Sequence, residues 1–240
     1  MSGHSKWSTI KRKKEATDSK RAAIFTKIGR EMAVAIKEGG GPDPGVNFRL
    51  ANVIQKAKMN NIPNDNIERA LKKASGEDGS KVYESLVYEG YGPCGVAVIV
   101  EALTENRNRT AGDMRHYFDK YGGNLGTSGC VSFMFEEKGV IVLDSEDRDE
   151  DEVMEQALEA GASDFITDDG AFIIHTEPGD LTAVHEALQK QGYEFVSAQV
   201  EQVPSTYVAL PDEEHQVKMH KLLDALEDND DVQNVWHNFR

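Results

Sequence analysis

Near residue 80 the periodicity of this chain changes, so any fold it adopts must join a helical part to a part dominated by strands. Before that point apolar residues recur at helical spacing. From Ser19 to Glu38, Ile24, Phe25, Ile28, Met32, Ala35 and Ile36 fall within an arc of roughly 120° at about 100° per residue, as a core-facing amphipathic helix requires. Gly39 to Gly45, with two prolines, cannot continue that helix. A second helix carries Leu50, Val53, Ile54 and Ala57, and Asn60-Asn61-Ile62-Pro63 stops it. A third follows, with Asp65 and Glu68 at capping-box spacing and Ile67, Ala70, Leu71 and Ala74 as its buried stripe. Beyond residue 80, Val82–Glu89 and Val96–Leu103 read as a β-hairpin around the glycine-rich Gly90–Gly95, then a helix over Thr110–Tyr121 and a strand over Val131–Glu136. The next stretch runs strand, helix, strand, strand, helix, strand: Val140–Leu143, Asp149–Ala160, Asp164–Thr167, Ala171–His175, Leu181–Gln191 and Phe195–Val203. A last helix with Met219, Leu222, Leu223 and Leu226 on one face leads to a strand at Val232–Trp236.

The expected class is therefore α+β, an N-terminal three-helix bundle followed by two α+β domains, one ferredoxin-like and inserted into the other. The expected boundaries are residues 1–79 for a basic arm and the bundle, 80–137 plus 205–240 for one α+β domain, and 138–204 for the insertion.

Charge divides at the same point. Of 27 Lys plus Arg and 42 Asp plus Glu in 240 residues, residues 1–75 hold 16 of the first and only 7 of the second. The formal charge of -15 is thus an average over a positive third and a strongly negative remainder. No apolar run approaches the ~20 residues of a membrane span, and the basic start runs into Glu15 and Asp18 instead of an apolar segment, so neither a membrane protein nor a secretory signal is expected. Two cysteines, Cys94 and Cys130, are too few for a disulfide framework or a four-cysteine zinc site, which fits a reduced, cytoplasmic setting.

Motifs for chemistry fail on context. Gly90, Gly92 and Gly95 have the dinucleotide spacing, but a strand follows where a helix must open on the pyrophosphate. Gly40 and Gly45 have P-loop spacing, but Val46 and Asn47 stand in place of the lysine and hydroxyl residue. In the acidic run Asp144–Glu152 a calcium loop would need a glycine at Glu152 and a glutamate at Leu158. His215 and His220, five apart, diverge by about 140° on a helix and cannot share a metal. Ser8 and Lys11 lack the companion motifs of acyl-enzymes. No catalytic residue, metal or cofactor is expected.

The basic segments fit a different task. His4, Lys6, Lys11, Arg12, Lys13, Lys14, Lys20 and Arg21 surround Trp7, combining phosphate-neutralising charge with a face on which a base can stack. The bland alternative is that Trp7 anchors the arm and the lysines are merely solvated. Lys27 lies on the polar side of the first helix and joins the candidate set. In Asn106-Arg107-Asn108-Arg109-Thr110 the alternation places both arginines on one side of an extended segment with Thr110 as cap, or else they pair with Glu101 or Glu105. The glycine-rich Gly122–Gly129 would let a nucleic-acid backbone approach, although a tight connection explains it better.

The ordered strings Gly3-His4-Ser5-Lys6-Trp7, Tyr88-Glu89-Gly90-Tyr91-Gly92-Pro93, Asn106 to Thr110, Gly122 to Gly126 and Asp230 to Asn238 make the chain resemble the YebC/PmpR family over essentially its full length. The resemblance implies a helical domain plus two α+β domains, and a cytosolic protein in bacteria. It also implies a DNA-binding transcriptional regulator or a translation factor acting at the ribosome on stalls, with DNA or ribosomal or transfer RNA as partner. Cys94 stands where the family motif commonly has glycine. A protein-interaction adaptor or an enzyme in an interdomain cleft are the competing classes.

Overall fold

The computed structural model describes residues 18–59, 62–76, 82–168 and 170–240. Among them are seven α-helices and two four-stranded sheets, in two compact units. The first unit runs to residue 134 and resumes over 208–239; the second holds 135–207 with Arg240.

Three helices open the first unit: α1 (Asp18–Glu38), α2 (Phe48–Met59) and α3 (Asn64–Ser75). They share one core of Ile28, Met32, Ala35, Leu50, Ala57, Ile67 and Ala70, drawn from the stripes that the spacing marks out. The α1–α2 connection is tied by Asn47, which is 1% exposed. Its amide donates to the carbonyls of Ala35 (2.8 Å) and Gly41 (2.7 Å), while its oxygen accepts from the Leu50 amide (3.0 Å) and caps α2. A Cβ at Gly39 would stand 2.2 Å from that oxygen, so the loop closes only over a residue without one. Asn47→Ala removes a cap and leaves two carbonyls without their donor. It should cost about 2–3 kcal/mol in urea denaturation, against a few tenths for Asn52→Ala on the exposed face of α2.

The capping box at Asp65 and Glu68 does not form. Pro63 occupies the cap position with no side-chain hydrogen bond, and its carbonyl accepts from Asn66 and Ile67, so Asp65 already lies inside the first turn. There it acts only on the helix dipole.

The rest of this unit is a sheet in the order β3-β1-β2-β8, antiparallel throughout: β1 (Glu84–Tyr91), β2 (Ala97–Thr104), β3 (Asn124–Leu125) and β8 (Val232–His237). Helices α4 (Arg107–Lys120) and α7 (Glu213–Glu227) supply Met114, Phe118, Met219, Leu222, Leu223 and Leu226 to a core with Val96, Val98, Val100 and Val232. The hairpin forms as expected, with its turn displaced: β1 continues through Gly90 and Tyr91 to a short 3₁₀ turn at Pro93–Gly95. Within it Cys94 has φ 56° and ψ 24°, the left-handed region that glycine fills without strain. The strand expected from Val131 begins only at Phe135, after a 3₁₀ turn over Ser132–Met134.

In the second unit β4 (Phe135–Asp144), α5 (Glu150–Glu159), β5 (Asp164–Asp168), β6 (Ala171–Thr176), α6 (Leu181–Lys190) and β7 (Ser197–Pro204) follow one another, and the sheet order is β5-β6-β4-β7, again antiparallel. Both faces of the central strands are buried. Ile141, Leu143, Phe172 and Ile174 pack with Val153, Ala157, Val184 and Leu188 of the helices, whereas Val140, Val142, Ala171 and Ile173 form a second cluster. That accounts for the unbroken apolar run Val140–Leu143.

Candidate nucleic-acid interface

Asn106, not Thr110, starts α4: its side chain accepts from the Arg109 amide at 3.1 Å. Arg107 and Arg109 are therefore in the first helical turn, about 200° apart around the axis, and do not share a side. Arg107 is exposed, with a 3.3 Å contact to the equally exposed Glu84. Arg109 is held elsewhere. Its Nη2 donates to Asp231 Oδ2 at 2.7 Å, and this carboxylate is 3% exposed. The hydrogen-bonded partners of the two arginines are Glu84 and Asp231, while Glu105 adds a weaker electrostatic attraction to Arg109.

Asp231 is the centre of a buried network that sequence reasoning missed. Its Oδ1 accepts from Arg30 of α1 at 2.7 Å, and its Oδ2 lies 2.8 Å from the Thr110 hydroxyl and 3.1 Å from that of Thr104. Burial alone would raise the Asp231 pKa; hydrogen bonds from Arg109, Thr110, Arg30 and Thr104 outweigh it and hold the carboxyl below the usual range. The same contact raises Arg109. Beside the network is a polar cavity of about 410 Å³, lined by Arg30, Arg109, Asp113, Tyr117 and the 228–231 turn. Both of its arginines already face a carboxylate.

Lys27 also has a structural role. Its Nζ donates to the carbonyl of Glu227, the last residue of α7, at 2.6 Å, a cation on the negative end of a helix. With Arg30 it fastens α1 to the α+β part of its unit. His4, Lys6, Trp7, Lys11, Arg12, Lys13 and Lys14 lie outside the described residues; Lys20 and Arg21 are in the first turns of α1. The helices add cations not singled out from sequence. Lys37, Lys58, Arg69, Lys72 and Lys73 are exposed and form no ion pair among the described residues. Arg69, Lys72 and Lys73 project opposite the buried Ile67 and Ala70 of α3, a disposition readable from their i, i+3, i+4 spacing.

The glycine-rich loop is a tight connection. Glu89, 5% exposed, accepts from the amides of Gly129 (2.7 Å), Val131 (2.9 Å) and Ser132 (2.9 Å), ahead of the start of β4 at Phe135. Burial opposes its charge, but these amides prevail and its pKa is lowered. A Cβ at Gly123 would stand 2.5 Å from the Tyr91 carbonyl, and one at Gly126 2.4 Å from Cys130 Sγ.

Two family models tile the chain, one described as the TACO1/YebC protein N-terminal domain over residues 5–77 and the other as the TACO1/YebC second and third domain over 83–239. The chain belongs to the TACO1/YebC family. Relatives include a probable transcriptional regulatory protein of Acetivibrio thermocellus, 59% identical over 240 residues (100% of this chain, 99% of that one). Another, with the same description, is from Finegoldia magna, 56% identical over 239 residues (100% and 99%). The crystal structure of a conserved hypothetical protein from Aquifex aeolicus matches with a TM-score of 0.82 at 47% identity, covering 93% of this chain and 91% of that one. The left-handed backbone at position 94 is one that glycine fills freely and that Cys94 adopts under strain. No helix among the described residues is long and apolar enough to cross a membrane, and no group of three or more metal-ligating side chains occurs among them.

Proposed function

We propose that this TACO1/YebC member is a non-enzymatic regulator of gene expression that binds nucleic acid through its N-terminal third. The observation that carries this reading is the charge division: 16 of 27 basic residues in the first 75 positions of a chain whose total is -15. The remaining residues carry 11 basic against 35 acidic side chains and on balance repel a polyanion. The description of the relatives as transcriptional regulators supports the same class. We read the architecture as a three-helix bundle with its arm over residues 1–79, an α+β domain over 80–137 plus 205–240, and a ferredoxin-like insertion over 138–204. The strand order β5-β6-β4-β7 supports the last part.

His4, Lys6, Trp7, Lys11 to Lys14, Lys20 and Arg21 supply phosphate contacts and stacking in this reading, joined by the exposed Arg69, Lys72 and Lys73. Lys27 and Arg109 are withdrawn from direct contact because each has a structural partner. Among the described residues we identify no element suited to reading base edges in a duplex groove, and we therefore favour RNA, recognised by shape, phosphate and unpaired bases, at the ribosome or on a transcript. With about 6 phosphate contacts, affinity for a mixed-sequence RNA should fall on the order of 10³-fold between ~50 and ~200 mM salt. Binding that ignores salt would refute the reading, and crosslinking in cells followed by sequencing of the attached strand identifies the target.

A further inference from the structure

We infer that Phe133 is a stacking platform for an unpaired nucleobase. The inference rests on the nucleic-acid reading above and narrows its ligand to single-stranded or looped segments. Phe133 is 75% exposed, and it is the one aromatic among the large apolar side chains that the described residues leave in solvent. A phenylalanine so placed forgoes the burial its ring normally gains on folding.

The segment that carries it is firmly anchored. The Glu89 carboxylate takes the amides of Gly129, Val131 and Ser132, the Tyr91 hydroxyl donates to the Cys130 carbonyl at 2.9 Å, and Val131 is fully buried. The backbone that carries the ring is therefore presented without the ordering cost that a loose loop would add on binding.

The chemistry around the ring selects the occupant. Thr127, Ser128, Gly129 and Ser132 are exposed along the same loop, so the chain leading to the ring is polar. A base has this character, a flat apolar face with polar edges and a sugar beside it, and stacking tolerates any base. The charge pattern agrees. Between Asp119 and Glu136 the chain has no carboxylate, the longest such interval after residue 78. The carboxylate beneath the loop, Glu89, is buried and bonded to the loop's own amides. The loop itself thus adds no negative charge beside a strand of phosphates.

The test uses the full chain with a fluorescent indole at this position. Phe133→Trp is read as difference emission against the parent, which contains Trp7 and Trp236. A 12-nucleotide single-stranded RNA should quench the added emission, and a blunt duplex of equal length should leave it unchanged. Phe133→Ala and Phe133→Leu should each weaken single-strand binding by about 5- to 150-fold, whereas Phe133→Tyr should keep it, because stacking needs the ring and not merely apolar bulk. If the Ala and Leu variants bind like the parent, or the indole stays silent while salt-dependent binding persists, the stacking inference is wrong and the nucleic-acid reading stands. If the parent binds neither RNA, both fail.

Discussion

Asp231→Ala should lower the stability of the first unit by about 3–5 kcal/mol in chemical denaturation, the usual cost of removing one partner from a buried ion pair. The carboxylate is 3% exposed and receives two guanidinium groups and two threonine hydroxyls. Its loss strands the Arg30 side chain, 17% exposed, more severely than Arg109, which at 54% can be rehydrated. Arg109→Ala should accordingly cost far less than Asp231→Ala. Asp231→Asn keeps the shape and one acceptor and should cost about 2 kcal/mol. Hydrogen exchange locates the damage: protection should fall first in α1, whose Lys27 and Arg30 reach the α+β part, while the second unit keeps its rates.

The acid side of the stability profile follows from the same residue. Asp231 and Glu89 have carboxyl pKa values lowered in the folded chain, so their contribution is fully present above the unfolded carboxylate range, near pH 4, and is lost as pH falls through the lower folded values. Asp231→Asn should flatten that loss. An acid limb of unchanged steepness in the variant would show that Asp231 is not the group whose protonation matters.

Replacing Lys11, Arg12, Lys13 and Lys14 together by alanine should weaken RNA binding on the order of 10³-fold at ~0.1 M salt and reduce the salt slope by up to about 3 units. The loss should be alike for all sequences, since phosphate contacts position a strand without reading it. Loss confined to one sequence would mean that the arm reads bases. Lys72→Ala with Lys73→Ala, on the exposed face of α3, should remove a smaller share of the slope, and together the two sets measure how far the footprint extends beyond the arm.

What could be read from the sequence was local. Ile28, Met32, Ala35, Leu50 and Ala57 announce their burial through spacing, because a helix repeats its inward face every three or four residues. The alternation of the hairpin and the apolar run at Val140–Leu143 are equally direct. The candidate site was legible only as composition. Arg107 and Arg109 look like a matched pair when drawn as an extended segment; one asparagine that caps a helix turns them apart. The fate of Arg109 depends on a carboxylate 122 positions away, and that of Lys27 on a carbonyl 200 positions away. Neither partner leaves a mark beside the residue it restrains. The capping box at Asp65 failed for a different reason, since the helix starts at Asn64, with Pro63 at the cap position and Asp65 inside the first turn.

The distant pairing of chain ends has a consequence for biosynthesis. Strand β2 has the C-terminal β8 as its outer neighbour, and α1 is clasped by Asp231 just before that strand. Neither contact can form until residues 231–237 have left the exit tunnel, so the first unit must wait, incomplete, while the contiguous 135–207 segment is already free to close on itself. A ribosome that stops short of codon 231 would release a nascent chain with an unpaired inner strand and no anchor for its first helix.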